Sequence, residues 1–385
     1  MARSPDQGMH ARRVAGGRGS PWATVRGGLA VAMVAAGLQG CATPDDGGTA
    51  MTRAADFMIE VQQPNGLFAY EFNLSEGVWT ERDNVVRQAG AAYGLAEYFV
   101  HTRDPRAGAA LRRSLRALSD RSRPLAEGYL VASEDGRNRT GNTGATALAL
   151  LAELQYYRGS GDGRFEASRM AWAKGLVFLN APGRGFYRSA GRPEESHYYN
   201  GEAWLALAYL QATVPDRALA RRLEAIDDYM IATYGPTPHI GFFHWGAMAA
   251  QVRYEDTGDP RFIDFAAGQS LAYLDDLRPK VKKGSNSCYA VEGLAAARDV
   301  VDADESRAVI GARLAERIDA EMAKNLQLQI GPTQLATNVG FLRAIGELNG
   351  AFAAGERRKT LRIDHTQHCL SALVKMDRTQ LGSGS

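Results

Sequence analysis

Four acidic residues near the starts of small-residue-rich helical stretches could carry acid–base chemistry. Glu202 and Glu292 are embedded in otherwise apolar stretches, and Asp83 and Asp364 stand at the fronts of two others. Burying a carboxylate in an apolar helix is costly unless it has a partner or faces a cavity. Two carboxylates on one cavity can divide the acid and base roles of glycosidic bond hydrolysis. Glu202 and Glu292 are therefore the first candidates for such a pair, with Asp83 and Asp364 in reserve.

Two histidines are further candidates for proton transfer. His244 and His368 also stand near helix starts, and imidazole titrates close to neutral pH. Each position also has a structural interpretation, because a helix-start histidine often only hydrogen-bonds within the fold. An aspartate can cap a helix, and a first-turn glutamate can favour the helix dipole.

Aromatic, amide and guanidinium side chains accompany these groups at the same helix starts. Such a mixture, with apolar faces and a few converging polar groups, suits a small polar ligand. Arg87 lies in an apolar stretch and needs an acidic partner, which could be Glu202, Asp364 or a substrate carboxylate. The candidate binding residues are Arg87, Asn142, Tyr198, Tyr199, Asn200, Trp245, Asn286, Tyr289 and Gln367.

The helices that must position these side chains recur along the chain. A polar start followed by a Gly/Ala-rich helix occurs at 83–95, 141–148, 197–210, 243–249, 288–295 and 364–373. Between them lie arginine-bearing amphipathic helices at 106–119, 165–179, 217–233, 261–277 and 305–325. Repeats of this kind predict stacked helical hairpins. The helix predicted at 52–63 can pair with the last inner helix, which favours a closed ring over an open solenoid.

Short aromatic segments lie between the predicted helices, including one at 241–243 that is predicted to precede a helix. With the Tyr-Tyr-Asn-Gly-Glu-Ala run at 198–203 and the His244-Trp245 pair, the pattern resembles the six-hairpin carbohydrate-active enzymes. These include unsaturated glucuronyl hydrolases, cellulase-like glycosidases and N-acylglucosamine 2-epimerase-like proteins. The resemblance implies an all-α fold, an (α/α)6 toroid over 51–377 with short β segments at its mouth.

The resemblance also implies a poly- or oligosaccharide as the substrate. The first expectation is a glycoside hydrolase with a carboxylate acid–base pair. One alternative is a lyase or epimerase acting on a uronate-containing glycan, with Tyr199, Asn200, His244 and Arg87 at the reacting centre. Another is a non-catalytic glycan-binding or scaffold protein of polysaccharide export.

Metals and cofactors are not expected. Cys288 and Cys369 could form a disulfide in an exported protein, although their positions permit this without requiring it. With His368 they superficially resemble the zinc ligands of lanthionine cyclases, but the order here is His-Cys-Leu instead of Cys-His-Gly. No nucleotide-binding glycine loop precedes a Lys-Ser/Thr pair. We therefore predict neither metal nor cofactor.

The N-terminus has the pattern of an export signal. A basic region precedes an apolar run at 27–38 that is too short to span a bilayer. The run ends in Leu-Gln-Gly-Cys, which resembles a bacterial lipobox and implies a lipid anchor on Cys41. Ala42, where aspartate would signal inner-membrane retention, favours the outer membrane. We expect a signal peptide at 1–40, a tether at 41–50 and a disordered tail at 378–385. A net charge of +2 with scattered arginines argues against nucleic acid as a partner.

Overall fold

The computed structural model describes residues 47–133, 140–331, 348–358 and 360–382. Its helices alternate between an inner and an outer circle. The inner helices are α2 (Val85–Thr102), α4 (Thr143–Ser160), α6 (His197–Thr213), α8 (Ile240–Thr257), α10 (Cys288–Val301) and α12 (Ile363–Gly382). The outer helices are α1 (Gly47–Glu60), α3 (Pro105–Asp120), α5 (Glu166–Leu179), α7 (Arg217–Tyr234), α9 (Arg261–Ala272) and α11 (Ala308–Leu326).

The inner circle is closed. Each inner helix packs against the next one along the chain, and α12 packs against both α10 and α2. The N-terminal helix α1 packs on α12 and completes the outer circle. The predicted all-α toroid of helical hairpins is therefore confirmed.

Glycines let neighbouring inner helices approach closely. A Cβ added to Gly201 on α6 would lie 2.5 Å from Cβ of Trp245 on α8. A Cβ added to Gly293 on α10 would lie 2.5 Å from Cα of His244. Gly144 on α4 similarly faces the Tyr199 ring of α6, at 2.6 Å from the added atom. Each of these positions therefore excludes any larger residue without a shift of the neighbouring helix.

A buried ion pair ties inner helices to an outer one. Asp227 on α7 is fully buried and accepts hydrogen bonds from Trp204 of α6 at 2.7 Å and from Arg253 of α8 at 2.8 Å. Because a buried carboxylate needs compensating donors, removing either donor would leave the acid underpaired. The contact fixes the spacing of three helices below the ring opening.

Short strands lie between the helices. Strands β1 (Glu71–Asn73), β2 (Val78–Trp79) and β7 (Thr360–Arg362) form an antiparallel sheet in the order β2-β1-β7. Phe72 pairs with Leu361, so this sheet joins the two ends of the ring. Two hairpins complete the set: β3 (Ser122–Leu125) with β4 (Gly128–Val131), and β5 (Tyr187–Ser189) with β6 (Arg192–Glu195).

Several predicted boundaries were wrong. Helix α1 begins at Gly47, inside the expected tether, and α12 continues to Gly382, through most of the expected disordered tail. The aromatic segment at 241–243 is the first turn of α8, because His239 caps the helix by accepting a hydrogen bond from the Gly241 amide. The helices predicted at 261–277 and 305–325 occupy the expected ranges; the first ends in a π-helical turn at Tyr273–Leu277, and the second begins with a 3-10 turn at Glu305–Arg307.

The predicted signal peptide and Cys41 lie outside the described residues. Within the described ranges, no helix is both long and apolar enough to cross a bilayer.

Candidate active site

A cavity of about 540 Å³ opens at the end of the ring where the inner helices begin. Side chains from all six inner helices line it, since each helix enters the ring at this end. Eleven of the fifteen residues proposed from the sequence as catalytic or binding lie on its wall: Arg87, Tyr198, Tyr199, Glu202, His244, Trp245, Asn286, Tyr289, Asp364, Gln367 and His368.

Three of the remaining four have structural contacts instead of a place on the cavity wall. Asp83 accepts a hydrogen bond from Gln88 at 2.8 Å and faces Arg121 at 3.5 Å. Asn142 caps α4 through a hydrogen bond from the Ala145 amide, and its amide group also donates to the Tyr199 hydroxyl at 2.8 Å. Asn142 therefore orients a cavity residue without lining the cavity itself.

Asn200 is fully buried and turned away from the cavity. Its carbonyl oxygen accepts from the Phe186 amide at 2.7 Å, and its amide donates to Glu195 and to the Tyr234 hydroxyl. These contacts hold the β5–β6 hairpin against α6 and α7. The expected role of Asn200 in substrate binding therefore has no support from its position.

Glu292 is the fourth residue, and it lies directly behind the cavity wall. Its carboxylate is only 1% exposed, and Oε2 and Oε1 lie 3.1 and 3.2 Å from Nδ1 of His368. Burial opposes the charged imidazolium, but the charge and hydrogen bond of Glu292 outweigh it and raise the pKa of His368 above its usual value of 6.5. Glu292 therefore favours the charged form of His368.

His244 faces His368 across the cavity and is in the opposite state. The two ring centroids lie 5.9 Å apart. Burial, followed by the charges of His368 and Lys375, holds the pKa of His244 well below 6.5. Neither ring nitrogen has a hydrogen-bond partner among the described residues. A neutral imidazole with free nitrogens thus lies beside one whose protonated form is stabilised, which suits a base next to an acid.

Glu202 is a second proton donor on the same wall. It is 4% exposed, and its Oε2 atom has no hydrogen-bond partner in the described part of the chain. Burial raises the pKa of Glu202 to about 8, against the opposing charge of Arg87. The carboxyl group is therefore protonated at neutral pH.

Asp364, in contrast, is a fixed anion. Its carboxylate accepts from Nε of Arg87 at 2.9 Å and from Nη2 of Arg362 at 2.8 Å. Burial favours its neutral form, but the charges of His365, Arg87 and Arg362 lower the pKa of Asp364 to about 2. Among the partners considered for Arg87, Asp364 makes the direct contact.

Several cavity residues were not identified from the sequence. Arg188 comes from β5 and lies 5.7 Å from the centre of the Tyr199 ring. Arg362 ends β7, and burial lowers the pKa of the adjacent His365 to about 4. Ser196, Val86, Gly90 and Leu148 also line the wall. Only Arg362 had a sequence signal, since it lies two residues before a candidate carboxylate.

Cys288 of α10 and Cys369 of α12 form a disulfide with a Cα–Cα distance of 4.8 Å. This pairing uses both thiolates, so the zinc set resembling that of lanthionine cyclases does not exist in this form. A different trio has metal-type ligand atoms within 4.8 Å of one another: His244, Glu292 and His368. In this trio the Glu292–His368 hydrogen bond already satisfies the carboxylate, which suits acid–base chemistry.

Comparison with known proteins places the fold. No family model and no curated protein sequence matches the chain. An α-1,6-mannanase of glycoside hydrolase family 76 from Salegentibacter superimposes with a TM-score of 0.67 at 12% identity, covering 86% of this chain and 99% of that one. The chain has the fold of six-hairpin carbohydrate-active enzymes. A D-mannose isomerase (TM-score 0.64, 13% identity, 86% and 97% coverage) and a sugar epimerase from a ruminal bacterium (0.62, 12%, 85% and 97%) share it.

The cavity contents limit what these similarities mean for chemistry. An inactive variant of the mannanase, solved with α-1,6-mannotriose, has two consecutive aspartates replaced by asparagine. Among the described residues that line the cavity of this chain, no two consecutive positions are acidic. The acids among the described residues of this wall are Glu202 and Asp364, which come from different helices.

Proposed function

We propose that this chain is an enzyme that isomerises or epimerises a carbohydrate by acid–base proton transfer. The observation that carries the proposal is the geometry of two facing histidines: His244, whose ring nitrogens have no hydrogen-bond partner among the described residues, and His368, whose protonated form the buried Glu292 stabilises. A base and an acid whose pKa values are pushed apart by their surroundings suit proton transfer at neutral pH.

The reaction that this pair supports begins at a carbon next to a carbonyl or carboxyl group of the sugar. His244 takes the proton from that carbon, and the electron pair moves into a carbon–carbon double bond. His368 gives its proton to the carbonyl or carboxylate oxygen, which leaves an enediol or enolic acid. For an isomer, His244 returns its proton to the neighbouring carbon, and His368 regains a proton from the hydroxyl of the first carbon. For an epimer, a proton from solvent reaches the other face of the first carbon, His244 releases its proton to solvent, and His368 regains its proton from the oxygen that it had protonated. Glu292 stabilises the imidazolium form of His368 before this proton is given and after it is regained.

The surroundings of the pair suit a sugar. Trp245 and Tyr289 lie beside His244, with ring centroids at 4.4 and 5.5 Å, and offer apolar faces for the C–H side of a pyranose. Tyr198 is 51% exposed and lines the same cavity. Glu202, Arg87 and Gln367 supply hydrogen-bonding groups for hydroxyls around the same cavity.

A glycoside hydrolase is the second candidate, and one observation favours it. Glu202, whose pKa is about 8, shares the cavity with the anion Asp364. Hydrolysis needs a carboxylic acid together with a carboxylate. The ion pairs that hold Asp364 reduce its capacity to act on water or on carbon. Glu292 would have to act through His368, since it does not reach the cavity wall.

Product mass separates the two candidates. Purified protein is incubated with a panel of neutral and acidic sugars and oligosaccharides, and the products are analysed by mass spectrometry and chromatography. The proposal predicts a product of unchanged mass that is lost in both His244→Gln and His368→Gln. Fragments heavier by one water, lost in Glu202→Gln and retained in the histidine variants, would replace the proposal with the hydrolase.

For location we propose an exported, lipid-anchored protein attached through Cys41 and facing the periplasm or the cell exterior. The lipobox-like run before Cys41 supports this proposal, as does the Cys288–Cys369 disulfide, since disulfides persist in oxidising compartments. Labelling of cells with radioactive palmitate tests it: the wild-type chain should take up label and Cys41→Ala should not. Equal labelling of both would contradict the anchor.

A further inference from the structure

A second cavity of about 380 Å³ adjoins the first and is strongly basic. We call it the annex. Its wall carries the cationic side chains of Arg278, Lys280, Lys282, Arg358 and Arg362. Among the described residues of this wall the single acid is Glu321, which is already paired with Lys324 at 2.6 Å and with Arg317 at 3.0 Å.

Four of these cations form no salt bridge within the described part of the chain, and the acid Glu356 of the same paired segments lies beside Gly284. Arg362 pairs with Asp364. Arg278, Lys280, Lys282 and Arg358 are exposed, and none of them forms a salt bridge to any residue in the described ranges. Like charges gathered around one concave surface repel one another, and an anion bound among them would relieve that repulsion.

The annex is built on a paired backbone. The segment before α10 and the segment before β7 run side by side through a bridge between Ser285 and Gly355. The Asn286 amide donates to the Ala354 carbonyl at 3.0 Å, and the Glu356 amide donates to the Gly284 carbonyl at 3.2 Å. The cations therefore project from two segments that hold each other in place.

The annex and the catalytic cavity share walls. Asn286, Tyr289, Arg362 and His365 line both. The Tyr289 ring lies 5.5 Å from His244 and 6.3 Å from His368, so the wall that the two cavities share begins next to the proton-transfer pair. A sugar chain that crosses Tyr289 would place one unit at the histidines and the next unit in the annex.

We propose that the annex binds an anionic substituent, a carboxylate, sulfate or phosphate, on the sugar unit next to the reacting one. The substrate is then an acidic oligo- or polysaccharide. This inference rests on the proposed function for the identity of the reacting unit, but its binding contribution can be measured without turnover.

The chain offers a closely matched control. Lys282 and Arg358 line the annex, while their immediate neighbours Lys283 and Arg357 are also exposed and do not line it. The double variants Lys282→Ala/Arg358→Ala and Lys283→Ala/Arg357→Ala remove the same charge from the same two segments. Any effect of net charge or of general destabilisation should appear in both.

The experiment is calorimetric titration with tetrasaccharides in pairs: oligouronates with their carboxyl-reduced forms, sulfated chains with desulfated ones, and phosphorylated mannooligosaccharides with dephosphorylated ones. At least one acidic probe should bind at least tenfold more tightly than its neutral partner, and added salt should weaken it. The probe that binds identifies the anion. Lys282→Ala/Arg358→Ala should weaken that probe about tenfold, and Lys283→Ala/Arg357→Ala should not.

Three results would overturn the annex proposal: no acidic probe binds, neutral partners bind equally well, or both double variants lose affinity alike. None of these depends on His244 or His368. Retention of turnover by histidine variants would instead contradict the proposed function while leaving annex binding intact, so the two failures are distinguishable.

Discussion

The Glu292 carboxylate lies 3.1 Å from Nδ1 of His368 and is buried behind it. This contact gives His368 a raised pKa, although burial alone would lower it. Glu292 is therefore a positioning residue whose effect on the reaction passes through the imidazole.

Replacement of Glu292 by glutamine should reduce kcat about a hundredfold, at the lower end of what a general acid contributes. Wild-type activity needs protonated His368 and is lost as pH rises through its raised pKa. In Glu292→Gln the carboxylate no longer offsets the effect of burial, so the pKa of His368 should fall. The basic limb of the pH–rate profile should then move to lower pH. A merely structural role would lower activity without moving the limb.

Glu153→Gln is the matched control for this variant. Glu153 is also a buried acid on an inner helix, its carboxylate oxygens have no hydrogen-bond partner within the described ranges, and it does not line the cavity. Its pH–rate profile should be unchanged. A basic limb that stays in place in Glu292→Gln would contradict the assigned role of Glu292.

Glu202 should cost the protein stability at high pH. Its folded pKa of about 8 exceeds the ordinary 4.5, so between these values the folded state binds more protons than the unfolded state and stability falls as pH rises. The full difference between the two pKa values corresponds to a loss of at most about 5 kcal/mol in the free energy of unfolding. Glu202→Gln, which keeps the shape of the neutral acid, should raise Tm relative to wild type at pH 9.

At pH 4 the same substitution should leave Tm nearly unchanged, because the carboxyl group is then mostly protonated in both states. Thermal unfolding over this pH range measures the difference. A Glu202→Gln effect that is constant with pH would show that the carboxyl group is not held in its neutral form.

The disulfide should contribute substantially to stability. It joins positions 81 residues apart, and closing a loop of that size stabilises a fold by about 4 kcal/mol in the chain-entropy account. Cys288→Ala/Cys369→Ala should therefore lower Tm by about 6 °C. A thiol reductant should lower the wild-type Tm to the same value and leave the double variant unchanged; a wild-type Tm insensitive to reductant would contradict the pairing.

Removal of metal ions should not change activity. His244, Glu292 and His368 have metal-type atoms within 4.8 Å of one another, but the raised pKa of His368 favours a proton on it over a metal. Dialysis against a chelator followed by assay, with metal analysis of the untreated protein, checks this. Stoichiometric metal, with activity lost on chelation and restored by the ion, would contradict the acid–base assignment.

The ring could be predicted from sequence because small residues at helical spacing recur six times. The face that each inner helix turns towards the cavity could not be predicted in the same way. Tyr199, Asn200 and Glu202 occupy one helix start, yet Asn200 turns to the β5–β6 hairpin while the other two line the cavity. Successive helical residues differ in direction by about 100°, so one residue of uncertainty in a helix start changes which side chains meet.

Contacts between repeats that are far apart in the sequence could not be predicted either. Glu292 meets His368 across 76 positions, and only the closed ring brings α10 against α12. Arg188 and Arg362 come from strands of three residues each, which are too short for a periodic pattern. The acid–base pair therefore emerged from packing, although each of its members was a candidate from the sequence.

The most direct test of the account is incorporation of solvent deuterium into the sugar. Protein and the sugar panel are incubated in D2O, and the products are analysed by NMR and mass spectrometry. Proton transfer through His244 predicts deuterium bound to carbon next to the carbonyl or carboxyl group, absent in His244→Gln, with no gain of water. Products that gain water and carry no carbon-bound deuterium would contradict it.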